Sequence, residues 1–147
     1  MVEMMVALVV LAVGMLGIAS LYVISLRSSG SAISRMQAVN LAGELADRIR
    51  ANRFARGAYM DVGVQKDCSG NTDCSQEDMA ANDRFMWDRQ IQALLPGANR
   101  RGAVVYTAGA ANTPDNYVIT VFWQEPGSDG EDANNDLSYM LTMQIDP

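Results

Sequence analysis

The chain has 147 residues and a mass of 15.9 kDa, which is room for one domain with one hydrophobic core. Apolar residues make up 49% of the sequence and charged residues 19%, a balance that argues against intrinsic disorder. There is no histidine, so Ser-His-Asp and Cys-His nucleophile pairs, histidine general bases and most zinc sites are excluded together.

The net charge of -6 is unevenly distributed along the chain. Residues 1–56 carry six arginines and three acids, a balance of +3, whereas residues 57–147 carry five basic and fourteen acidic residues, a balance of -9. Binding to nucleic acid needs a dense basic face on the folded domain, because phosphates must be neutralised. We therefore expect no nucleic-acid partner.

The first segment is an apolar run of membrane length. Residues 4–26 carry no charge, and a helix of that length would extend about 35 Å, enough to cross a hydrocarbon core of about 30 Å. A buried core helix would show a polar stripe, and a cleavable signal peptide would need a basic region and a small-residue cleavage site. None of these is present, so we predict a transmembrane or filament-core helix over residues 1–26.

The helix is predicted to continue through residues 27–56, which contain no proline. Apolar residues recur there at spacings of three and four, the pattern of one helix face. Together the two segments predict a single helix of about fifty residues whose second half is amphipathic. The apolar face consists of Ile33, Met36, Ala38, Leu41, Ala42, Leu45, Ala46 and Ile49, of which Leu41, Leu45 and Ile49 are expected to pack on a sheet.

Residues 57–147 are predicted to form a globular αβ domain. A polar loop over 57–75 leads to Ser75, a helix N-cap followed by acids, and a second helix continues to about Leu95. Runs of alternating apolar residues predict strands at 103–107, 117–124 and 137–145, with connections that suit antiparallel neighbours. The expected fold is α+β, with a long N-terminal helix on a small antiparallel sheet. The predicted buried side of the second helix is Met79, Phe85, Met86, Ile91, Leu94 and Leu95.

Two cysteines, Cys68 and Cys74, enclose a short polar loop. An even pair of this kind predicts a disulfide formed in an oxidising compartment. Arg27 and Arg35 follow the apolar run, and the positive-inside rule applied to them alone would place the globular domain in the cytoplasm. A basic leader before Met1 would remove this conflict.

An acidic stretch before the last predicted strand is a candidate weak calcium loop. It departs from the EF-hand pattern, because Leu137 stands where glycine is needed and Met143 stands where the bidentate glutamate belongs. A solvated loop is therefore the preferred interpretation, and we expect no cofactor. Trp87 and Trp123 could line a ligand groove, but their helix and strand spacing favours the core or its rim. The calcium candidates are Asp129, Glu131, Asp132 and Asp136.

Glu3 is the one charge at the start of the apolar helix. A carboxylate at hydrocarbon depth without a partner costs at least several kcal/mol, so this position calls for a cationic partner. The alternative is an interfacial acid that the helix N-terminus favours.

The run from Glu3 through Met4-Met5-Val6-Ala7-Leu8-Val9-Val10-Leu11-Ala12-Val13-Gly14-Met15-Leu16-Gly17 resembles the N-terminal helix of type IV pilins and their relatives. The stretch Leu41-Ala-Gly-Glu-Leu-Ala-Asp-Arg-Ile-Arg-Ala-Asn-Arg53 resembles the PilV-like minor pilins, the type IV pilus modification proteins. The resemblance covers about the first 56 residues, and beyond them only the general layout agrees.

The resemblance implies that Glu3 pairs with the N-terminal amine of a neighbouring pilin, which would supply the cation. It also implies two more mature residues and a basic leader before Met1, so we expect the numbering to begin after them. In a filament, close helix packing is expected at Ala7, Ala12, Gly14 and Gly17, and the two glycines are also expected to be points of local melting.

By this resemblance the partners are other minor pilins, the major pilin and possible tip adhesins, with inner-membrane lipid before assembly. The location is the inner membrane with a periplasmic domain, then the tip of an extracellular pilus. Two alternatives remain open: a minor pseudopilin of type II secretion, and a membrane-anchored periplasmic module that binds a sugar or calcium. An enzyme is not expected, because no set of acid, base and nucleophile can be assembled.

Overall fold

The computed structural model describes residues 2–68, 73–125 and 136–146. The chain divides into two compact units, Met1–Ile33 and Ser34–Pro147. A long N-terminal helix, a small antiparallel sheet and further helices confirm the α+β prediction. The elements in chain order are helix α1 (Val2–Ala51), a 3₁₀ helix (Arg53–Met60), helix α2 (Gln76–Leu94), and strands β1 (Arg101–Thr107), β2 (Asp115–Gln124) and β3 (Asp136–Ile145).

In the first unit, the N-terminal part of α1 is helical throughout its described length, and residues 2–29 are all exposed. The helix is long and apolar enough to cross a membrane, and no residue of its most apolar stretch is buried. The helix ends at Ala51 rather than near Arg56 as predicted. The chain tightens into the 3₁₀ helix at Arg53, where the sequence had predicted first helix and then loop.

In the second unit, one face of α1 is buried in the hydrophobic core. Ile33 and Met36, which the sequence placed on this face, are exposed, so that part of the prediction was wrong. Met36 lies roughly opposite Ala38 on the helix, since two residues span about 200°. Ser34 begins the buried stripe instead. Its members are Ser34, Ala38, Leu41, Ala42, Leu45, Ala46 and Ile49.

The three strands form one antiparallel sheet in the order β1-β2-β3. Each side chain on the core face of β2 is almost completely buried, as the alternating pattern predicted. β3 lies at the edge, and only Met143 of this strand is fully buried. The buried residues of β2 on this face are Asp115, Tyr117, Ile119, Val121 and Trp123.

Helix α2 begins as predicted, with the Ser75 hydroxyl accepting a hydrogen bond from the Asp78 amide at 3.1 Å. Its predicted buried side was partly wrong, because Met79, Met86 and Leu94 are exposed. Residues that recur at three, four and seven positions share a helix face, and the face that contains Trp87 turns inward instead. That face consists of Ala80, Arg84, Trp87 and Ile91.

Candidate functional site

The candidate site is the N-terminal half of α1, with Glu3 in its first turn. A carboxylate there is favoured by the partial positive charge of the unpaired amides at a helix N-terminus. The Glu3 side chain is exposed. Its neighbours in the chain are large apolar side chains that are also exposed: Val2 is 76% exposed and Met4 is 74% exposed. In apolar surroundings such a carboxylate needs a cation from outside the helix.

Small residues share the helix face of Glu3. Positions 3, 7, 10, 14 and 17 follow the alternating spacing of four and three, so Ala7, Gly14 and Gly17 lie along the same side as the carboxylate. A methyl group added at Gly14 or Gly17 would meet no atom within 4 Å, so this surface is open to close approach. Ala12, nine residues after Glu3, lies on the opposite side. The four predicted packing residues therefore divide between two faces.

Two serine hydroxyls of α1, in and just after the apolar run, donate hydrogen bonds to carbonyl oxygens of the same helix. Ser20 Oγ donates to the carbonyl oxygen of Gly17 at 2.7 Å, and Ser29 Oγ donates to that of Ser25 at 2.9 Å. In hydrocarbon an unpaired polar group costs several kcal/mol, so these bonds allow the serines to lie in lipid or among other helices.

A network of charged residues fixes the second half of α1 to the rest of its unit. Arg48 forms ion pairs with Glu44 on the same helix and with Asp83 of α2, the latter at 3.1 Å. The Tyr59 hydroxyl donates to Asp83 Oδ2 at 3.0 Å and lies 3.3 Å from the carbonyl oxygen of Arg48. Of these contacts, only the Glu44–Arg48 pair could be recognised in the sequence, from its spacing of four. Tyr59 and Asp83 are distant in sequence and meet Arg48 only in the folded structure.

Burial and hydrogen bonding shift the protonation of this network in consistent directions. Burial of the Arg48 guanidinium opposes its charge, but the hydrogen bonds that it donates to Glu44 and Asp83, with the charges of these carboxylates, outweigh that effect and raise its pKa. Burial of Tyr59, with a further contribution from the charge of Asp83, raises the pKa of its hydroxyl. The network therefore keeps Arg48 charged and Tyr59 neutral at physiological pH.

Cys68 and Cys74 are joined by a disulfide, with their Cα atoms 5.7 Å apart. The chain before the bridge lies along α2. The Val64 amide donates to the carbonyl oxygen of Ala81 at 3.1 Å, and Lys66 Nζ lies 3.0 Å from Asp78 Oδ1. The disulfide thus closes a segment that is also attached to α2 by hydrogen bonds and an ion pair.

The sequence prediction of a calcium loop falls mostly on residues outside the described part of the chain, namely Asp129, Glu131 and Asp132. Asp136 is described, and its Oδ2 accepts a hydrogen bond from Arg101 Nη1 at 2.9 Å. Within 2–68, 73–125 and 136–146, no three acidic or cysteine side chains are grouped so that they could hold a metal ion. Trp87 and Trp123 are buried in the core, as their spacing favoured, and do not line a ligand groove.

Comparison with known families matches residues 20–85 to the family model described as Tt1218-like, Type IV pilin Tt1218. Over this stretch, which is less than half of the chain, the sequence is similar to type IV pilins. No curated protein and no solved structure gives a significant match.

The matched type IV pilin region begins within the apolar helix, continues through the amphipathic half of α1 and both cysteines, and ends within α2. The similarity supports a pilin-type role, in a pilus or a pseudopilus, that involves other pilins. The apolar helix is consistent with membrane anchoring before assembly. Glu3 and the small residues near it precede the matched region.

Proposed function

We propose that this protein is a PilV-like minor pilin, which joins other minor pilins in a complex that primes pilus assembly and presents a tip adhesin. The observation that carries the proposal is the N-terminal half of α1, which is apolar on every side, exposed along its length and acidic only at Glu3. A helix with no covering inside its own chain needs lipid or other helices around it.

We infer three segments with different roles. Residues 1–26 form the membrane and filament-core helix, and residues 27–56 form its amphipathic continuation. Residues 57–147 form the periplasmic globular domain, on which the amphipathic half packs through Leu41, Leu45 and Ile49. All three residues are at most 3% exposed and belong to the same core cluster as the sheet residues Ile119 and Val121, which supports this assignment.

Before assembly, the helix stands in the inner membrane with the globular domain in the periplasm, where the Cys68–Cys74 disulfide is stable. Assembly then moves the helix from lipid into a bundle of like helices. This exchange costs little hydrophobic energy, because lipid tails and apolar side chains are similar environments. Ala7 and Gly14 allow one neighbouring helix to approach closely on the Glu3 face, and Ala12 allows another on the opposite face.

Glu3 directs this step by pairing with the N-terminal amine of the neighbouring pilin. The pair removes the cost of an isolated carboxylate in apolar surroundings, which is at least several kcal/mol. A helix in the correct axial position is therefore favoured over one displaced along the bundle.

Gly14 and Gly17 are points at which the helix can open locally in the filament. Each glycine costs the helix about 1 kcal/mol relative to alanine. The Ser20 hydroxyl competes for the Gly17 carbonyl oxygen at 2.7 Å, which weakens the helix further at the same place.

The alternative within the same class is a minor pseudopilin of a type II secretion system, which the family match supports equally. Deleting the gene separates the two roles. Loss of surface pili with normal protein export supports the pilus, and the reverse result supports secretion.

The decisive test is Glu3→Ala in the full chain, followed by the ratio of protein in sheared pili to protein in the membrane. We expect normal membrane levels with a strong loss of recruitment into pili, at least tenfold. Asp47→Ala is the matched control, because Asp47 is an exposed acid on the same helix that forms an ion pair with Arg50 at 2.7 Å. Normal recruitment of Glu3→Ala would refute the pairing role.

A further inference from the structure

Three polar residues divide the exposed N-terminal half of α1 into segments of definite length. Between Glu3 and Arg27 the apolar run contains one aromatic residue, Tyr22, which is 67% exposed. At about 1.5 Å per residue, Glu3 and Tyr22 lie about 28 Å apart along the helix axis, and Arg27 lies about 7 Å beyond Tyr22. A bilayer has a hydrocarbon core of about 30 Å, with a headgroup layer of about 5–7 Å on each side. The three residues therefore match the two edges of the hydrocarbon core and one headgroup layer.

The hydroxyl group of Tyr22 determines which layer suits this side chain. A serine hydroxyl in the run can donate to its own helix, as Ser20 Oγ does to the carbonyl oxygen of Gly17 at 2.7 Å. The tyrosine hydroxyl stands at the end of a rigid ring, out of reach of the carbonyls that a serine can reach. In hydrocarbon it would be unpaired, whereas at the membrane interface the ring contacts acyl chains and the hydroxyl contacts water and headgroups. Tyr22 therefore favours the edge of the hydrocarbon core over its interior.

We propose that Tyr22 fixes the depth of α1 in the bilayer before assembly, with its ring at the periplasmic edge of the hydrocarbon core. Lipid headgroups are the partner of this surface, and Arg27 extends among the phosphates outside Tyr22. The length match then places Glu3 at the opposite, cytoplasmic edge. The inference rests on the proposed function in one respect, that this helix stands in the inner membrane before it joins a filament.

This depth gives Glu3 different surroundings before and after assembly. At the cytoplasmic edge the carboxylate is hydrated and is favoured by the helix N-terminus, so it carries its charge without a protein partner. In a bundle of apolar helices the same carboxylate loses its water, and only then does it require the amine of a neighbouring pilin. Tyr22 thus holds the unassembled helix at a depth where the Glu3 ion pair is not yet needed.

The rival placement centres the whole apolar run in the bilayer, with Leu26 at the periplasmic edge and Tyr22 inside the hydrocarbon. Tryptophan reporters at Leu8 and Ile18 distinguish the two placements. With Tyr22 at the edge, the two reporters lie about 7 and 8 Å from the bilayer centre, in opposite leaflets. With Leu26 at the edge, the reporter at Ile18 lies about 6 Å deeper than the reporter at Leu8.

The first test uses the full chain with Leu8→Trp or Ile18→Trp in vesicles of phosphatidylethanolamine and phosphatidylglycerol. Fluorescence quenching by lipids brominated at different acyl positions measures the depth of each reporter. Both substitutions replace exposed side chains, and the native Trp87 and Trp123 are at most 3% exposed, so the chain without a reporter supplies the background. We expect the two depths to agree within about 3 Å, and a larger difference would overturn the proposal.

The second test moves the tyrosine without changing the composition of the helix. The double variant Tyr22→Leu, Leu26→Tyr places the ring one helical turn further along nearly the same face. We expect the helix to move by about 6 Å toward the leaflet that holds its N-terminus. The reporter at Ile18 then becomes deeper and the reporter at Leu8 becomes shallower. Unchanged depths would show that Tyr22 does not fix the position of the helix, and would overturn the proposal.

The matched control exchanges two apolar residues on either side of the tyrosine. The double variant Leu21→Ile, Ile24→Leu moves no polar group, so both reporter depths should stay as they are in the wild-type helix. An equal shift in this control would overturn the role of the tyrosine. These measurements need no pilus, so they and the recruitment test of Glu3→Ala can fail separately.

Discussion

The indole N–H of Trp87 in α2 donates a 2.8 Å hydrogen bond to the backbone carbonyl oxygen of Leu41 in α1. The indole is completely buried, and the Arg84 guanidinium lies 4.7 Å from its ring centroid. On β1, Gly102 leaves room for the ring, because a methyl group added there would lie only 2.0 Å from it. One side chain therefore joins α1, α2 and the sheet.

Substituting this tryptophan should destabilise the second unit strongly. Trp87→Ala removes the hydrogen bond and leaves a large cavity, so we expect a loss of about 3–5 kcal/mol in the free energy of unfolding. Trp87→Phe retains most of the buried area and should cost less, although it still loses the hydrogen bond, worth about 1 kcal/mol. Urea unfolding followed by circular dichroism measures both losses. Met86→Ala, on the exposed side of the same helix, should change stability by well under 1 kcal/mol, and an equal loss there would contradict this assignment.

Two glycine-to-alanine substitutions should act in opposite directions. Gly102→Ala forces a methyl group into the Trp87 ring and should cost at least about 1–3 kcal/mol. Gly43→Ala lies on α1 with no atom within 4 Å of the added carbon, so it should stabilise the helix by about 1 kcal/mol. Thermal and urea unfolding of the two variants provide the comparison. Equal effects of the same sign would show that Trp87 does not pack on β1 as closely as the structure indicates.

The large elements could be predicted because each follows from local chemistry. The apolar run and the stripe that includes Leu41 and Leu45 predicted one long helix, and alternation along β2 and β3 predicted the strands. Ser75 marked the start of α2 correctly. These signals depend on spacing along the chain and need no knowledge of the tertiary fold.

The errors in α2 arose because burial depends on the neighbours that the fold provides. Met79 and Met86 are apolar but exposed, while Arg84 is 5% exposed. The Arg84 guanidinium tolerates burial because it stacks on Trp87 and lies 3.6 Å from Asp88. Burial lowers the pKa of Arg84 and raises that of Asp88, because it disfavours the charged form of each group. The attraction between the two charges acts in the opposite direction. No spacing rule could have placed an arginine on the inner face.

The disulfide should contribute measurably to the stability of the second unit. Closing so short a loop is worth about 2 kcal/mol in the chain-entropy model. A Cys68→Ser, Cys74→Ser double variant should therefore unfold at a lower urea concentration, with the secondary structure of the native state retained. Reduction of the wild-type chain should reproduce the shift, and reductant should not affect the double variant. An unchanged midpoint would mean that the hydrogen bond from Val64 and the ion pair of Lys66 already hold this segment.

Tyr117 should make the fold sensitive to alkali. Burial, with the neighbouring Tyr106 and Asp115, raises the pKa of its hydroxyl from 10.0 to about 12, so the folded state holds this proton more tightly than the unfolded state does. The stability that this retained proton contributes is complete below pH 10 and is lost as the pH rises toward 12. The free energy of unfolding should fall by at most about 1 kcal/mol for each pH unit in this range.

Tyr117→Phe tests this linkage. The hydroxyl is buried, with no hydrogen-bond partner among the described residues, so its removal at pH 7 should cost less than about 1 kcal/mol or stabilise the fold. Urea midpoints at pH 7, 10 and 11 should then decline less in the variant than in the wild-type chain. Some decline should persist, because burial also raises the pKa of Tyr59. If the two chains lose equal stability between pH 10 and 11, Tyr117 does not hold its proton in the folded state as its burial requires.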